Sequence, residues 1–487
     1  MRIYLSIYLL LLLPLPTVIS AQTISKNAAM EDVVQFRKIL VNESSYLFSK
    51  EQDLNKDLEH LINSLQDTVE IERFYYALME IVGNIGDRHA RVKWDGLKSD
   101  EKGLPFIMAP MDNKIIALKK EQKDGKYQIY QSNYPELKSI NGIPISEFID
   151  KVDWAYKYAP AYAKIHRFSL ERNFEYLLTS VFGKSDLYAF TFTNGNQEKI
   201  LQLKLENNPK RWTDLTYKPN ITKINSLFSI KGNNIGYISI PAMVDRTSEN
   251  GNLYRFVDAY MHEYKNTDAL IIDLRNNGGG TRQFLMQLAP YFLAPDEKPW
   301  VANIAKIRSD QVINEDMESM KERYLYNYKS ENLKKEDRSA IDSFMNNFKP
   351  IWKYDPEKYS DYFYMTLRHD MGVDHYYYNK PIYVLVNERS FSAASVFTTA
   401  VKGMGNVKIA GVTTDGSSGR SQGFDLNNSK INLKLSSMIS FQRNGTTLDT
   451  YGTEPDIIIQ KDMNQILGQK DTQLEKLVEY IEQNKLK

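Results

Sequence analysis

The 487-residue chain carries 62 basic and 61 acidic residues, a formal net charge of +1, with 42% hydrophobic residues and no cysteine. A balance so close to neutral argues against nucleic acid or an anionic membrane surface as partner, and the apolar content suffices for packed cores in about two to four domains. Without cysteine there are no disulfides, no thiol chemistry, no cysteine-ligated metal and no lipid anchor through the usual cysteine. The 32 tyrosines read as core rim and surface, and exposed ones would suit a peptide groove.

Residues 1–21 begin MRIYLSIYLLLLLPLP, one arginine and an apolar run, and end in the small pair Ser20 and Ala21. This is the pattern of a secretory signal peptide cleaved beside Ala21. Pro14, Pro16 and the shortness of the run argue against an uncleaved anchor helix. No later segment is apolar and long enough to span a membrane, so the expectation is an exported, soluble protein, periplasmic or extracellular. Residues 22–101 follow as a helical N-terminal domain, with Val33, Phe36, Leu40 and Leu58, Ile62, Leu65 at helical spacing. It closes on LMEIVGNIGDRHARVKW (Leu78–Trp94), a helix, a glycine turn and a short strand. His89 sits just beyond the turn; taken alone, such a histidine is ordinarily structural or exposed.

Residues 102–207 change to short β-rich runs such as LPFIMAP, KIIALKK and LYAFTFTNGNQEKILQLKL. Within them ELKSINGIPISEFIDKV (Glu136–Val152) resembles a PDZ module, in which a strand, an Asn–Gly turn and a helix frame a groove for an extended peptide. Ala155–Phe182 reads as a helical insertion, and a β-rich domain without ligand is the alternative. Residues 208–223 are polar and read as a linker.

The last domain, 224–487, opens strand, helix, strand: NIGYISIPAM (Asn234–Met243), a helix through Tyr254–Tyr264, and a strand from Ala269. That order predicts a right-handed crossover and a mixed α/β core. ALIIDLRNNGGGT (Ala269–Thr281) ends in three glycines, which let backbone amides approach a reacting atom. The run lacks the spacing and following lysine that phosphates require, which sets aside a nucleotide-binding reading. Residues from about 305 to 378 form a charged, aromatic, helix-forming insertion that either packs over one side of the site or is solvated. His369, Asp370, Asp374 and His375 lie there without a ligand spacing and are assigned no metal. PIYVLVNERSFSAASVFTTA (Pro381–Ala400) is a buried strand, a tight turn and a helix on which Ala393, Val396, Phe397 and Ala400 share a face. Ser392 therefore stands at a helix start, beside free N–H groups and the positive end of the helix dipole, as an acyl-transfer nucleophile requires. The competing reading is that Ser392 or Ser390 merely caps the helix.

Together with AGVTTDG (Ala410–Gly416) and YGTEPDI (Tyr451–Ile457), DLRNNGGG and NERSFSAAS resemble, in order, the motifs of the C-terminal processing (tail-specific) protease family, which includes the tricorn core protease. The resemblance implies an α+β, multi-domain fold around a mixed α/β core of the ClpP/crotonase kind. It implies Ser392 as nucleophile, an oxyanion hole from the N–H groups of Gly279 and Ala393, and Gly278 and Gly280 shaping the turn. In the tail-specific branch the base is a downstream lysine. Laying AGVTTDGSSGR on that pattern puts Ser417 at its place, and nearby Arg420 stays protonated and cannot be a base. GDRHARV resembles instead the histidine segment of the tricorn-like branch, which implies His89 as general base. The carboxylate before the glycine of that branch's G-x-x-P-D motif corresponds to Asp449, with Glu454 the other choice or a brace of the turn. Asp415 and Ser417 belong to a loop bordering the site, expected to be hydrated.

The function so implied is an exported serine endopeptidase of the carboxy-terminal processing type, with a peptide or protein substrate and no metal or cofactor. The alternatives are a catalytically inactive relative that binds peptide or apolar ligands, which the missing lysine supports, and a scaffold recruiting partners through the PDZ-like module. Oligomeric state is not legible.

Overall fold

The computed structural model describes residues 22–47, 51–96, 102–153, 161–171, 174–207, 228–230, 233–245, 252–309, 313, 315–371 and 375–485. The leader 1–21 and the linker 208–223 fall outside them, as does Asp374. Among the described residues no helix is long and apolar enough to cross a membrane.

Three helices, Lys26–Glu43, Glu51–Ser64 and Ile71–Gly83, begin the chain. Ser25 caps the first, its Oγ accepting from Ala28 N–H at 3.2 Å, in the role serine fills best. Val33, Phe36, Leu40, Leu58, Phe74 and Leu78 from these helices, and Leu65 just after the second, are buried in one cluster with Leu433, Leu435, Ile439 and Phe441 from the far end of the chain. The chain then turns at Gly86 and lays strand Arg91–Lys93 against Asn432–Ser436, pairing Arg91 with Lys434 and Val92 with Leu433. This pairing carries His89 to the C-terminal part of the molecule.

The middle of the chain forms an antiparallel sheet in the order Glu198–Leu203, Tyr188–Thr193, Glu136–Ile140, Lys114–Leu118, Ile107–Met111. Phe106, Phe148, Phe168, Phe190 and Phe192 fill the space between this sheet and helices Ile145–Lys151, Ala161–Ser169 and Phe174–Phe182.

The remaining elements build a mixed six-stranded sheet in the order Phe228–Ile230, Asn233–Ser239, Ala269–Asp273, Ile382–Val386, Val407–Gly411, Ile457–Ile458. All but the first pair are parallel. Side chains alternate across it. Leu270, Ile272, Ile382, Val384 and Val386 face helices Asn252–Glu263, Gln283–Phe292 and Ala393–Val401. Ile271, Tyr383 and Leu385 face Leu477, Val478 and Ile481 of the last helix, Thr472–Lys485. Cover on both faces is why these strands read as unbroken apolar runs rather than alternating ones. Because they are parallel, their C-terminal ends lie on one edge, where the loops after Asp273, Val386 and Gly411 meet.

The stretch from 305 to 378 is more than a helical insertion. It holds helices Glu318–Lys321 and Lys335–Met345, but also strand Phe363–Leu367, buried at every residue. That strand pairs antiparallel with Trp300–Ile307, which pairs in turn with Met438–Phe441, forming a second sheet integral to the core. In this stretch His369 Nδ1 meets the Pro290 carbonyl at 2.9 Å, Asp370 pairs with Arg368 and Lys334, and the His375 ring packs 4.4 Å from Tyr291.

Candidate active site

Ser392 occupies the turn between strand Ile382–Val386 and helix Ala393–Val401, with φ 54° and ψ −119°. A non-glycine residue held there is strained and persists only where its surroundings fix it. Those surroundings are two interlocked loops. Asn276 N–H donates to Asn387 Oδ1 at 2.9 Å and Asn387 Nδ2 returns a bond to Asn276 Oδ1 at 3.0 Å. Phe391 N–H donates to the Asn277 carbonyl at 2.9 Å, and Ser390 Oγ donates to the Leu274 carbonyl at 2.9 Å. The third loop joins through Asp415 N–H to the Ser390 carbonyl at 3.2 Å. The capping role considered for Ser392 and Ser390 is filled by neither: the Ser392 side chain makes no cap hydrogen bond, and Ser390 is spent inside the loop.

Gly279 and Gly280 are glycines for reasons of space. At Gly279 (φ 93°) a Cβ would lie 2.6 Å from Ser392 Cβ, and at Gly280 (φ 137°) it would lie 1.9 Å from the Met243 carbonyl oxygen. The N–H of Gly279, expected to point at an oxyanion, donates instead to Asn277 Oδ1 at 2.9 Å. The N–H groups of Ala393 and Gly280 donate to no described residue.

His89 lies beside the turn that holds Ser392. Its ring centroid is 5.0 Å from that of Phe391, one residue before Ser392. Its Nδ1 shares a 2.6 Å hydrogen bond with Ser417 Oγ, the residue at the place of the lysine. No hydrogen bond joins His89 to Ser392 among the described residues. Burial pushes the imidazole down to about 3; Arg88, Arg91 and Lys434 reinforce this and Asp415 opposes it, so the ring is neutral at neutral pH.

Asp449 is buried behind His89, and its bonds go to the frame around the imidazole rather than to the ring. Oδ2 accepts from the Tyr46 hydroxyl at 2.6 Å and from Ser418 N–H at 3.5 Å; Oδ1 accepts from Arg88 N–H at 3.2 Å. It thus ties together the two backbone segments that carry His89 and Ser417. Asp87 does similar work: its oxygens accept from His89 N–H at 2.8 Å and Ser436 N–H at 2.6 Å. Burial and the Asp87 charge push the Asp449 carboxyl up to about 8, and burial pushes Asp87 up to about 6. Asp87, His89 and Asp449 are also the one group among the described residues whose donor atoms, within 4.8 Å of one another, have metal-binding chemistry. Each is already hydrogen-bonded within the chain. Glu454, the other carboxylate considered, is exposed, and among the described residues only its carbonyl is used, by Lys402.

The loop from Thr414 to Ser418, expected to be hydrated, is buried. Burial alone would raise the Asp415 carboxyl, but Arg88 at 2.8 Å and Arg167 at 3.0 Å hold it below its ordinary range. Arg167 also lies 5.6 Å from the Phe391 ring, and its neighbour His166 approaches Glu388 at 3.3 Å. Helix Ala161–Ser169 thereby touches the turn that holds Ser392. Sequence reasoning missed Tyr46, Asp87, Arg88 and Arg167. Asp87 and Arg88 directly precede His89 and their place in that segment was a usable signal; Tyr46 and Arg167 carry none.

Residues 234–459 match the model of peptidase family S41. No curated protein sequence matches the chain. Among solved structures, mature CPAF superposes with a TM-score of 0.65 at 17% identity over 94% of this chain and 98% of that one. Mature CPAF complexed with lactacystin gives 0.64 at 16% over 94% and 99%. At such identity these matches speak for a shared fold. The matched segment, which carries the serine turn, the glycine loop and the Asp449 turn, is similar to the serine peptidases of family S41, the C-terminal processing type.

Proposed function

We propose that the chain cleaves peptide bonds through an acyl-enzyme on Ser392, with His89 as general base. The observation that carries the reading is the strained, uncapped Ser392 beside the unspent Ala393 N–H, with the His89 ring against the preceding residue. In this mechanism Ser417 Oγ accepts a hydrogen bond from His89 Nδ1–H, which leaves Nε2 as the basic nitrogen. Asp449 positions His89 indirectly, through the backbone on either side of the imidazole and of Ser417. Ser392 attacks the carbonyl, His89 accepts its proton and returns it to the leaving amine, and water then releases the acyl group. The Ala393 N–H faces the developing oxyanion. The second donor is the Gly280 N–H, or that of Gly279 once released from Asn277. In this reading Gly278 adjusts the loop and Glu454 has no part.

We read residues 1–21 as an export leader, so that the mature peptidase acts outside the cytoplasm. Residues 102–207 we read as a PDZ-like peptide-binding unit, a reading supported by the Asn141–Gly142 turn (φ 45° and 80°) between strand Glu136–Ile140 and helix Ile145–Lys151. The test is labelling of the leader-free protein with a fluorophosphonate, comparing wild type with Ser392→Ala and His89→Ala. Labelling lost in both variants is the expected result. Labelling that survives in His89→Ala at the wild-type rate removes His89 as base, and an unlabelled wild type removes the serine mechanism.

A further inference from the structure

Ser392 and Ala393 border a cavity of about 530 Å³, a size suited to one side chain or chain end of a bound peptide. Its wall includes Arg282, a residue only 6% exposed. Three arginines are buried among the described residues. Arg88 is paired with Asp415, and Arg275 with Asp273 and Asp471. Arg282 is the exception. Its guanidinium donates only to neutral acceptors: Asn303 Oδ1 at 3.2 Å, the Arg323 carbonyl at 3.1 Å and Ser418 Oγ at 3.4 Å. No described carboxylate lies within 4.0 Å of it.

The surroundings add positive charge rather than removing it. Burial, and after it the charge of Arg323, lower Arg282 to about 9. Arg323 and Arg420 both reach Ser319, Arg323 bonding its carbonyl and Arg420 its hydroxyl. Helices Gln283–Phe292 and Ala393–Val401 both begin at the cavity wall, and a helix N-terminus favours an anion. Asp245 and Glu322 stand on the same wall without reaching Arg282. A buried guanidinium without a counter-charge is costly to a fold. Here it opens onto the space beside the nucleophile, where a ligand can supply the missing charge in the bidentate geometry that guanidinium and carboxylate share.

We propose that this cavity is a carboxylate subsite in which Arg282, aided by Arg323 and the Ser418 hydroxyl, receives an acidic group of the peptide substrate next to the scissile bond. The assignment rests on the peptidase reading above. The carboxylate is either an Asp or Glu side chain or the substrate's own C-terminus, and the two are separated by experiment.

The rate at which a fluorophosphonate labels Ser392 is measured with short competitor peptides in two matched sets. One set pairs Glu with Gln in N-acetylated, C-terminally amidated tripeptides. The other pairs a free C-terminus with an amidated one in tripeptides without acidic side chains. The carboxylate-bearing member of one set should protect Ser392 at concentrations about tenfold lower or more, as expected of a charge-assisted hydrogen bond gained. Preference in the first set assigns a side chain, and in the second a chain terminus. Arg282→Met, close in volume and relieved of a buried charge, should bring the ratio to about one, and Arg323→Gln should lower it. A labelled wild type whose ratio stays within about twofold in both sets overturns the proposal, whatever the variants do. So does a preference that survives Arg282→Met. A wild type that takes no label overturns the peptidase reading instead. Calorimetry of N-acetylglutamate against N-acetylglutamine, and of N-acetylalanine against its amide, then decides the subsite alone, with equal binding within both pairs overturning it.

Discussion

The backbone at Ser392 separates strain from capping by the sign of a stability change. A non-glycine residue at φ 54° and ψ −119° costs about 1–3 kcal/mol that glycine does not incur. Glycine gives back about 0.4–1 kcal/mol through the greater entropy of the unfolded chain. Ser392→Gly should therefore stabilise the protein by about 0.5–2 kcal/mol. Ser392→Ala keeps the strain and loses only a hydroxyl that makes no cap bond, so it should stay within about 0.5 kcal/mol of wild type. If Ser392 instead served as an N-cap, alanine would cost about 1 kcal/mol and glycine a few tenths. The two arguments predict opposite orders: Gly above Ser and Ala for strain, Ser above Gly above Ala for a cap. Calorimetric melting of the three proteins at one pH reads the difference, about 2–4 °C for each kcal/mol in a unit of this size. A Ser392→Gly protein that melts at or below wild type refutes the strain argument, and with it the view that the fold holds this serine in a posture built for reaction.

Other consequences can be checked in the same preparation. Gly419→Ala places a Cβ 2.9 Å from the His89 ring and should slow Ser392 labelling by up to about 100-fold while the protein still folds, since small misplacements of a catalytic group are costly. Asp415→Asn leaves the guanidiniums of Arg88 and Arg167 without their anion and should destabilise by about 3–5 kcal/mol in urea unfolding at pH 7. Below pH 6.5 the unfolded His89 takes up a proton that the folded ring refuses until about 3, so this residue removes stability as pH falls through that window. The Asp449 carboxyl, raised to about 8 from 3.8, does the opposite. Its stabilisation is complete below about 4 and lost as pH rises to 8, so Asp449→Asn should flatten the decline of melting temperature across that range.

Much of the catalytic sheet is legible from pattern alone. The apolar runs at Ala269 and Pro381 become strands Ala269–Asp273 and Ile382–Val386, and helical spacing after Ser392 places that serine at a helix start. These are local signals: burial on both faces leaves an unbroken run, and a helix leaves its period. What the pattern does not carry is partnership. Nothing in TTDGSSG says that Asp415 will be buried between arginines; read alone the loop is polar and looks solvated, yet Arg88 lies 327 residues and Arg167 248 residues away along the chain. Tyr46 is likewise invisible as the partner of Asp449 across 403 residues. Strand Phe363–Leu367 was hidden because a short aromatic run among helix-forming charged residues reads as part of the helix next to it, and only pairing with Trp300–Ile307 makes it a strand.

In the proposed mechanism the same distinction explains why the missing lysine does not leave the serine without a base to hand. In residues 234–459 the serine, the glycine loop and Asp449 are all present, but no basic side chain stands at Ser417. The imidazole comes from outside this segment, and loose tethering could not place it to the tolerance a proton transfer needs. The backbone places it instead. Strand Arg91–Lys93 is zipped to Asn432–Ser436, Asp87 binds Ser436 N–H, and Asp449 binds Arg88 N–H. His89 thus sits in the turn two residues before a strand paired to the C-terminal segment, and Ser417 meets its Nδ1 where a lysine side chain would have filled the space. A serine at that position is small enough to admit the ring and polar enough to hold it. On this argument Ser417→Lys should expel His89 and abolish its hydrogen bond, and restoring the lysine of the tail-specific relatives should slow Ser392 labelling rather than accelerate it.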